Sequence, residues 1–420
     1  MTTAPRIDDA PVHIDASRRG VHEPARWGVE DGLTMLNHGS YGVCPAYVRE
    51  RQNALRDEID RDPPRWFCVT LERMLDRARE SLGAFVGAEP ANLTFVGNGT
   101  VAVASILRSI DWRPGDEVVV TDHEYAATFN ELRRLEKVAG ITVKTAKVPL
   151  PLASRGEALA AILGQITSST RLVVVSHIAS ASSLIMPVEE IVANCNDRGI
   201  ETLIDGAHTP GQIPLSLKSL RPTYYAASCH KWLCTPKGTG FVYAEPAAQH
   251  RVQPVALSCR VHRDRPDRAH FHADFDYVGT GDYTANCVIP DAIEHLGSQL
   301  PGGWPELYRR NHDMAIEGAR IIREACGLPK TAPDEMFGSM VTLVLPEDPA
   351  PDRECLYEQP LWDAIRLKHS IQAPVWDFRP VAPRVLRVSA HLHNTIEDFE
   401  RLAEVLRAEI EAERALESQR

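Results

Sequence analysis

The chain lacks a run of apolar residues long enough to span a bilayer. Prolines interrupt the first twenty residues, which are therefore unlike a secretory signal and are expected to form a flexible arm. The chain also lacks an excess of positive charge, because its formal net charge is −11 and its pI is near 5.8. We therefore expect neither nucleic acid nor a membrane as a main partner.

The chain also lacks cysteines at the close, regular spacing of a metal-binding or redox motif. An odd number of cysteines at irregular spacing, with no CxxC pair, is typical of reduced thiols and not of a disulfide framework or a zinc site. We therefore expect a cytoplasmic protein without a metal site. The nine cysteines are Cys44, Cys68, Cys195, Cys229, Cys234, Cys259, Cys287, Cys326 and Cys355.

The 420 residues contain no internal repeat, and their number predicts at least two domains. Between residues 54 and 300, short β-branched runs alternate with stretches of helical periodicity. This alternation predicts an α/β fold with a mostly parallel, doubly wound sheet. The predicted strands include Asn92–Val96, Glu117–Thr121, Thr142–Lys147, Arg171–Ser176, Glu201–Ile204 and Gly240–Tyr243, and the predicted helices are Val101–Ser109, Thr128–Ala139, Glu157–Ile166 and Val188–Asp197.

The pattern changes after Trp304, where a smaller α+β domain is predicted. Its expected elements are a helix at Trp304–Ala325, a strand at Val341–Val344, a helix near Trp362–Lys368, a strand at Arg384–Ser389 and a solvated terminal helix from Thr395. We predict a large domain over residues 51–303 and a small domain over residues 304–420. Residues 1–50 are expected to form the arm and part of the small domain.

The segment from residue 201 to residue 243 carries the residues richest in chemistry. An apolar strand ends at Asp205 and leads to His208, and Ser228, His230 and Lys231 follow before a glycine-rich turn. Ligands of α/β sheets bind beyond the carboxyl ends of strands, so Asp205 and Lys231 are expected to face one crevice. Singly, such residues are most often turn formers, surface charges or structural histidines. Their order and spacing together indicate a site.

This group resembles the signature of class V aminotransferases, which are enzymes of fold type I that depend on pyridoxal 5′-phosphate (PLP). The family pattern D-x-A-[HQ]…[ST]-x-H-K is met by Asp205, Ala207, His208, Ser228, His230 and Lys231. The resemblance implies a large domain with a mostly parallel seven-stranded sheet and a smaller α+β domain. It implies that Lys231 carries the cofactor as a Schiff base and that Asp205 pairs with the ring nitrogen. It further implies that His208 binds the phenolic oxygen and that Ser228 and His230 hold the phosphate.

Two further segments match the family. In FVGNGTVAVASIL a strand, a turn and a helix start place Gly99 and Thr100 at a helix N-terminus, where N–H groups and the helix dipole favour phosphate. A capping turn of this composition is common and is weak evidence alone. In TDHEYAATFNEL, Tyr125 stands where the family places an aromatic ring that stacks on the cofactor.

Two C-terminal motifs imply a partner subunit and a substrate contact. DFDYVGTGDYTA resembles the family element G-T-x-D-x-[ST], in which Thr280 would reach the phosphate of the neighbouring subunit, so a homodimer is implied. LRVSAHLHNTIEDFERL resembles R-[IV]-S-x-x-x-[YH]-N-x-x-x-D, in which Arg387 would grip the substrate carboxylate with its planar fork.

The segments MLNHGSYGVCP and SHIASASSLIMPVEEI are similar to those of an isopenicillin N epimerase-like branch of the family. In the first of them, His38 and Tyr41 are expected to contact the substrate. Residues 256–260 lack the Ser-His-Gly of many relatives, and Gly281 replaces an Arg or Thr. Residues 368–383 contain no cysteine, so the persulfide-forming nucleophile of cysteine desulfurases is missing from its expected place.

The resemblance implies a small amino-acid substrate whose α-proton is removed. We favour a C–S β-lyase that acts on an S-substituted cysteine in sulfur or secondary metabolism. The residues leave open an amino-acid epimerase, an aminotransferase and a decarboxylase. A non-catalytic scaffold with the same fold is a further alternative, although a scaffold would have no use for Asp205, His208, His230 and Lys231 together.

Overall fold

The computed structural model describes residues 21–261, 265–351 and 353–417, so the arm predicted for the first twenty residues lies outside the described residues. The chain begins with short elements that lead into a long helix whose apolar residues recur at helical spacing. These elements are β1 (Thr34–Met35), α1 (His38–Tyr41), α2 (Ala46–Arg61), α3 (Pro63–Arg65), a π-helical turn (Trp66–Thr70) and α4 (Leu71–Val86). Helix α4 buries Leu71, Leu75, Ala78 and Leu82 against the rest of the chain.

A seven-stranded sheet in the order β2-β8-β7-β6-β5-β3-β4 forms the centre of the molecule. Its strands are β2 (Leu93–Val96), β3 (Glu117–Thr121), β4 (Thr142–Ala146), β5 (Thr170–Ser176), β6 (Glu201–Asp205), β7 (Tyr224–Ser228) and β8 (Gly240–Ala244). Strand β8 runs antiparallel to both of its neighbours, and the other pairings are parallel. The prediction of a mostly parallel sheet of seven strands is therefore confirmed.

Helices cover both faces of this sheet, because its strands are apolar on both sides. The connecting helices are α5 (Gly99–Ser109), α6 (Ala126–Ala139), α7 (Arg155–Leu163), α8 (Val188–Asp197) and α9 (Leu217–Leu220). In β3, Val119 packs into one hydrophobic core while Val118 and Val120 pack into another on the opposite face. All three are fully buried, as expected for a strand at the centre of a parallel sheet.

The C-terminal part contains a second, antiparallel sheet in the order β11-β12-β9, against which one long helix packs, and a second long helix packs against the first. Its elements are α10 (His270–Phe275), α11 (Thr284–Cys287), α12 (Ile289–Gly297), α13 (Gly303–Cys326), β9 (Met340–Leu345), α14 (Pro360–Asp363), a π-helical turn (Ala364–Lys368), β10 (Ile371–Gln372), β11 (Val375–Phe378), β12 (Ala382–Ser389) and α15 (Ile396–Glu417). Strand β1 pairs in parallel with β10, which joins the N-terminal segment to this region. The domain boundaries at residues 50 and 303 remain predictions.

Most predicted elements are present, with ends that differ by a few residues. Strands β7 and β11 were not among the predicted strands. The β7 sequence Tyr-Tyr-Ala-Ala-Ser contains no β-branched residue, so the signal used to find strands is missing there. The helix predicted near Trp362–Lys368 is α14 followed by the π-helical turn. Within the described residues, none of the helices has both the length and the apolar character that crossing a membrane requires.

Candidate active site

Three parallel strands of the large sheet end beside one another and form the floor of a cavity of about 440 Å³. Ser176 ends β5, Asp205 ends β6 and Ser228 ends β7, and the side chains of all three line the cavity. Strand register pairs Ser176 with Asp205 and Asp205 with Ala226. The parallel topology therefore gathers polar residues that are far apart in the sequence at one edge of the sheet.

Lys231 projects into this cavity next to His208. The Nζ atom of Lys231 lies 3.0 Å from Nε2 of His208, and Nδ1 of His208 accepts a hydrogen bond of 3.3 Å from the indole N–H of Trp232. Burial, together with the positive charge of Arg387, lowers the pKa of Lys231 to about 8, although Asp205 acts in the opposite direction. Part of the Lys231 population is therefore a free amine near neutral pH.

Asp205 is a buried carboxyl group with one defined hydrogen bond. Its Oδ1 accepts from the backbone N–H of Ala207 at 2.9 Å. Burial raises the pKa of Asp205, while the Ala207 hydrogen bond and the charge of Lys231 lower it. A cationic N–H group placed against Asp205 would relieve the cost of burying the carboxylate.

The N-terminus of helix α5 closes one side of the cavity. Asn98 caps this helix by accepting from the N–H of Val101 at 3.0 Å, and the N–H of Gly99 donates to Ser228 Oγ at 3.1 Å. A Cβ atom on Gly99 would lie 3.3 Å from that hydroxyl, so glycine permits this close approach. Thr100 follows in the first turn and lines the cavity. The helix end therefore offers hydroxyl and N–H groups where its dipole attracts an anion.

His230 completes this side of the cavity. Its Nδ1 lies 2.9 Å from the carbonyl oxygen of Thr239, to which it donates, so the other ring nitrogen is left for a ligand. Burial lowers the pKa of His230, and the charges of Lys231 and Lys237 lower it further. A phosphate beside this ring would favour its protonated form, in which both nitrogens donate.

Arg387 is a buried cation at the edge of the cavity, and it has no ion-pair partner among the described residues. Its Nη1 donates to the carbonyl oxygen of Ser180 at 2.7 Å, and its Nη2 donates to Ser40 Oγ at 2.8 Å. Its guanidinium carbon lies 5.1 Å from the centre of the Trp376 ring. Burial lowers the pKa of Arg387 to about 10. Because Ser40 and Ser180 line the cavity, an anionic ligand there would meet this unpaired charge.

Two exposed aromatic residues lie at the rim of the cavity, and one exposed threonine lies in a neighbouring cavity. Tyr41 is 73% exposed and Tyr125 is 50% exposed, and both line the cavity. Thr280 lines a second cavity of about 280 Å³, which shares Gly97 and Gly238 with the first. Thr280 is therefore adjacent to the site of its own chain but outside it.

His38 lies behind Lys231 and not in the cavity. It is fully buried, and its Nε2 donates to the backbone carbonyl of Lys231 at 3.0 Å. Its Nδ1 lies 3.2 Å from Nε2 of His393. In this position His38 supports the backbone that carries Lys231, and it makes none of the direct contacts with the cavity that a substrate-binding residue needs.

The cluster of His38, Cys234 and His391 offers three ligand atoms within 4.8 Å of one another. The rings of His38 and His391 are stacked, with centres 4.2 Å apart and planes 11° from parallel. Because the lone pairs of an imidazole lie in its ring plane, two parallel rings direct them side by side and not toward a common ion. We therefore assign these side chains to packing and hydrogen bonding behind Lys231.

Glu124 is a buried acid that the sequence analysis missed. Its carboxylate accepts from Ser176 N at 2.9 Å, Ser176 Oγ at 2.7 Å and Thr121 Oγ1 at 3.0 Å. Burial raises the pKa of Glu124 to about 7, and the nearby charge of Asp205 acts in the same direction. Its position directly before Tyr125, in the loop after β3, was the available signal.

The cavity brings together most of the residues that the sequence singled out. It is lined by Tyr41, Gly99, Thr100, Tyr125, Asp205, His208, Ser228, His230 and Lys231. These groups fit PLP, because an amine is available for its aldehyde, a buried carboxyl for its ring nitrogen and a helix N-terminus for its phosphate. The arrangement can therefore bind such a cofactor and move a proton at a neighbouring carbon.

Comparisons with known proteins agree with this geometry. The model of the family described as aminotransferase class V matches residues 68–402. The chain is 32% identical to isopenicillin N epimerase of Amycolatopsis lactamdurans, a match covering 90% of this chain and 96% of that protein. It is 27% identical to putative L-cysteine desulfhydrase 1 of Oryza sativa subsp. japonica, covering 90% and 83% of the two chains.

A solved structure shares the fold. It is the complex between the cystine C–S lyase C-DES and its reaction product cysteine persulfide, which superposes with a TM-score of 0.74. The match covers 90% of this chain and 98% of that chain, at 21% sequence identity. At this identity the likeness is evidence for the fold alone, and it agrees with the predicted fold type I.

Proposed function

The chain belongs to the class V aminotransferase family, a family of PLP-dependent enzymes that act on amino acids, and on that premise we propose that it cleaves the C–S bond of an S-substituted cysteine. The observation that carries this proposal is the environment of Lys231. Its amine has a pKa of about 8, lies beside His208, and is influenced by the charges of both Asp205 and Arg387. The amine of Lys231 can therefore act as a base, and the guanidinium of Arg387 can bind the carboxylate of a substrate.

We propose that the cofactor is held by the residues around the cavity. Lys231 would hold its aldehyde carbon, and Asp205 would keep its ring nitrogen protonated. The phosphate would bind at the start of helix α5, with Gly99, Thr100, Ser228 and His230 as its ligands. His208 would donate to the phenolic oxygen and Tyr125 would cover the ring. When bound, PLP supplies an electron-accepting ring that stabilises negative charge at the substrate α-carbon.

The protein would orient the substrate and move its proton. Arg387 would bind the α-carboxylate through paired N–H groups, and Tyr41 lies next to Ser40, with which Arg387 is hydrogen-bonded. The amine of Lys231 would then take the α-proton. The electron pair of the broken C–S bond would leave with sulfur, which becomes a thiol on protonation. With one water molecule consumed, the overall products are the thiol, pyruvate and ammonia.

A second candidate is an amino-acid epimerase. It is supported by the 32% identical relative and by the hydroxyl groups of Tyr41 and Tyr125 at the rim, either of which could return a proton from a second direction. Lys237 and Glu131 also line the cavity, but Lys237 donates to the Gly42 carbonyl at 2.8 Å and Glu131 is ion-paired with arginines. No contact within the described ranges favours aminotransfer or decarboxylation.

We further propose a homodimer in the cytoplasm. The homodimer is supported by the exposed Thr280 beside the shared wall of Gly97 and Gly238, a position from which a second subunit could complete the phosphate site. The apolar side chain of Val278 is 41% exposed in the same loop and would be covered in such a contact. The cytoplasmic location rests on the irregular cysteine spacing.

The cofactor is tested by reducing the purified protein with borohydride and mapping the modified peptide. A pyridoxyl group on Lys231, absent from the Lys231→Ala variant, supports the proposal, and a protein that binds no PLP overturns it.

The reaction is tested with S-alkyl cysteine conjugates in heavy water. Pyruvate, ammonia and thiol in equal amounts support the lyase. Deuterium at the α-carbon of both enantiomers, without these products, supports the epimerase instead.

A further inference from the structure

Trp232 joins His208 to the packed interior behind the active site. Its indole N–H lies 3.3 Å from Nδ1 of His208, and both side chains are buried. The indole nitrogen always carries its hydrogen and can only donate. Nδ1 of His208 therefore accepts in this contact and carries no proton.

The remaining proton of His208 must then lie on Nε2. Burial holds the pKa of His208 well below its usual value, and the charge of Arg387 lowers it further, so the ring is neutral. Nε2 is the atom 3.0 Å from Nζ of Lys231. A protonated ring nitrogen donates, so Lys231 accepts through the lone pair of a free amine. An ammonium group on Lys231 has no lone pair to accept this hydrogen, and it would place one of its own N–H groups against the N–H of His208.

We propose that Trp232 is a positioning residue, which fixes His208 as the Nε2–H tautomer and thereby holds Lys231 as a free amine. The inference rests on the proposed function in one respect, namely that the enzyme uses this free amine to take the α-proton of the substrate. The same Nε2–H is the donor that the phenolic oxygen of the cofactor would require. Without the indole N–H, His208 could place its proton on Nδ1 and accept from a Lys231 ammonium group.

Other charged groups also face Lys231, and they do not depend on this tautomer. Asp205 favours its ammonium form, whereas Arg387 and burial favour the free amine. His230 acts on the same region through its influence on His208. A variant of Trp232 leaves all of these groups in place, so a double-mutant cycle with His208 isolates the effect of the tautomer.

The experiment measures the pKa of Lys231 in the full-length chain after removal of PLP. Acetylation by acetic anhydride is followed at each pH by mass spectrometry of the Lys231 peptide. Trp232→Phe is expected to raise this pKa by roughly one unit, the size of one hydrogen bond. In the His208→Gln background, Trp232→Phe is expected to cause no further rise, because a glutamine amide can rotate to donate or accept. An equal rise in both backgrounds, or no rise in either, overturns the proposal.

A second measurement needs no variant. The ¹⁵N shifts of His208 in the wild-type chain are expected to show protonation at Nε2 alone, and protonation at Nδ1 overturns the inference. Acetylation of Lys218 and Lys330, two exposed lysines outside the site, serves as the control for the reactivity of the reagent at each pH. Since neither measurement uses substrate or bound PLP, a failed lyase assay leaves this result intact, and the proposed function can hold while Trp232 proves irrelevant.

Discussion

Ser176 holds the buried carboxylate of Glu124 through both its backbone N–H and its hydroxyl, at 2.9 and 2.7 Å. Ser176 is also the residue that β5 places opposite Asp205 of β6. Ser176 therefore brings a second acid close to the end of the strand that carries Asp205. Among the described residues, no basic side chain hydrogen-bonds to Glu124. Glu124 is therefore more easily buried protonated than charged.

The first prediction concerns Glu124→Gln and the stability of the chain without PLP. The pKa of Glu124 is raised from 4.5 to about 7 in the folded state. Below pH 4.5 the group is protonated in both states and its ionisation does not affect stability. As pH rises from 4.5 to 7, the unfolded chain ionises first, so the folded state loses stability progressively. The full cost is about 3 kcal/mol. Glutamine cannot ionise and can keep the contacts with Ser176. Urea unfolding from pH 4.5 to 8 is expected to show that the variant becomes the more stable chain as pH rises, and parallel curves would contradict this.

The second prediction separates Arg387 from Arg384, which lies on the same strand. Arg387→Gln is expected to lower kcat/KM for the amino-acid substrate by roughly 10- to 100-fold, because hydrogen bonds to a charged carboxylate are lost. Arg384 is buried in an ion pair with Glu413 at 2.9 Å and does not line the cavity. The matched double variant Arg384→Gln with Glu413→Gln should change the melting temperature and leave kcat/KM unchanged. An equal loss of kcat/KM in both variants would refute the assignment of Arg387 as the residue that binds the substrate carboxylate.

The third prediction concerns acid unfolding. Burial lowers the pKa of His393 from 6.5 to about 4, so its neutral form stabilises the fold above pH 6.5 and this contribution is lost as pH falls toward 4. The contribution amounts to at most about 3 kcal/mol. His393→Tyr, which the family pattern permits, removes this titration and retains a group that can hydrogen-bond to His38.

The measurement is the pH dependence of the free energy of unfolding between pH 7 and 5. Its slope is expected to be smaller in His393→Tyr than in the wild type, by up to one proton per molecule. An unchanged slope would show that His393 does not titrate on unfolding. The opposite sign of the Glu124 effect means that the two variants shift the slope in opposite directions.

The parts of the site that could be predicted from sequence are those that depend on local order. Asp205 ends a predicted strand and Gly99 follows another, and parallel strands bring their carboxyl ends to one edge whatever the rest of the chain does. Lys231 was identified by the short family pattern that ends in His230 and Lys231. The sheet itself was predicted for the same reason, since each apolar strand is a local signal. Strand β7 was not among the predicted strands because its sequence contains no β-branched residue.

The parts that could not be predicted depend on contacts between distant segments. His38 was expected to touch the substrate, yet it contacts the carbonyl of Lys231, 193 residues away. Trp232 follows the lysine and has an apolar side chain, so its hydrogen bond to His208 becomes visible only when the strand ends are placed in space. The sequence pattern therefore identifies which residues enter the site, while packing decides whether each one contacts a ligand or supports another residue.

The last prediction tests the homodimer by mixing two defective chains. If Thr280 binds the phosphate of the neighbouring subunit, Thr280→Ala should weaken PLP binding roughly tenfold through the loss of one charged hydrogen bond. Lys231→Ala should abolish catalysis in its own site. In a mixed dimer, the site that keeps Lys231 belongs to the Thr280→Ala chain and receives an intact Thr280 from its partner.

Mixed dimers, isolated by two different affinity tags, are therefore expected to contain one site with wild-type PLP affinity and about half of the wild-type activity per dimer. Thr280→Ser is the matched control, because it retains the hydroxyl group and should bind PLP as the wild type does. If Thr280 acts within its own chain, the lysine-bearing site of the mixed dimer remains as weak as that of the Thr280→Ala homodimer. A chain that is fully active while monomeric at micromolar concentration would contradict the homodimer itself. Thr280, which is exposed beside Gly97 and Gly238, would then have no neighbouring subunit whose phosphate it could bind.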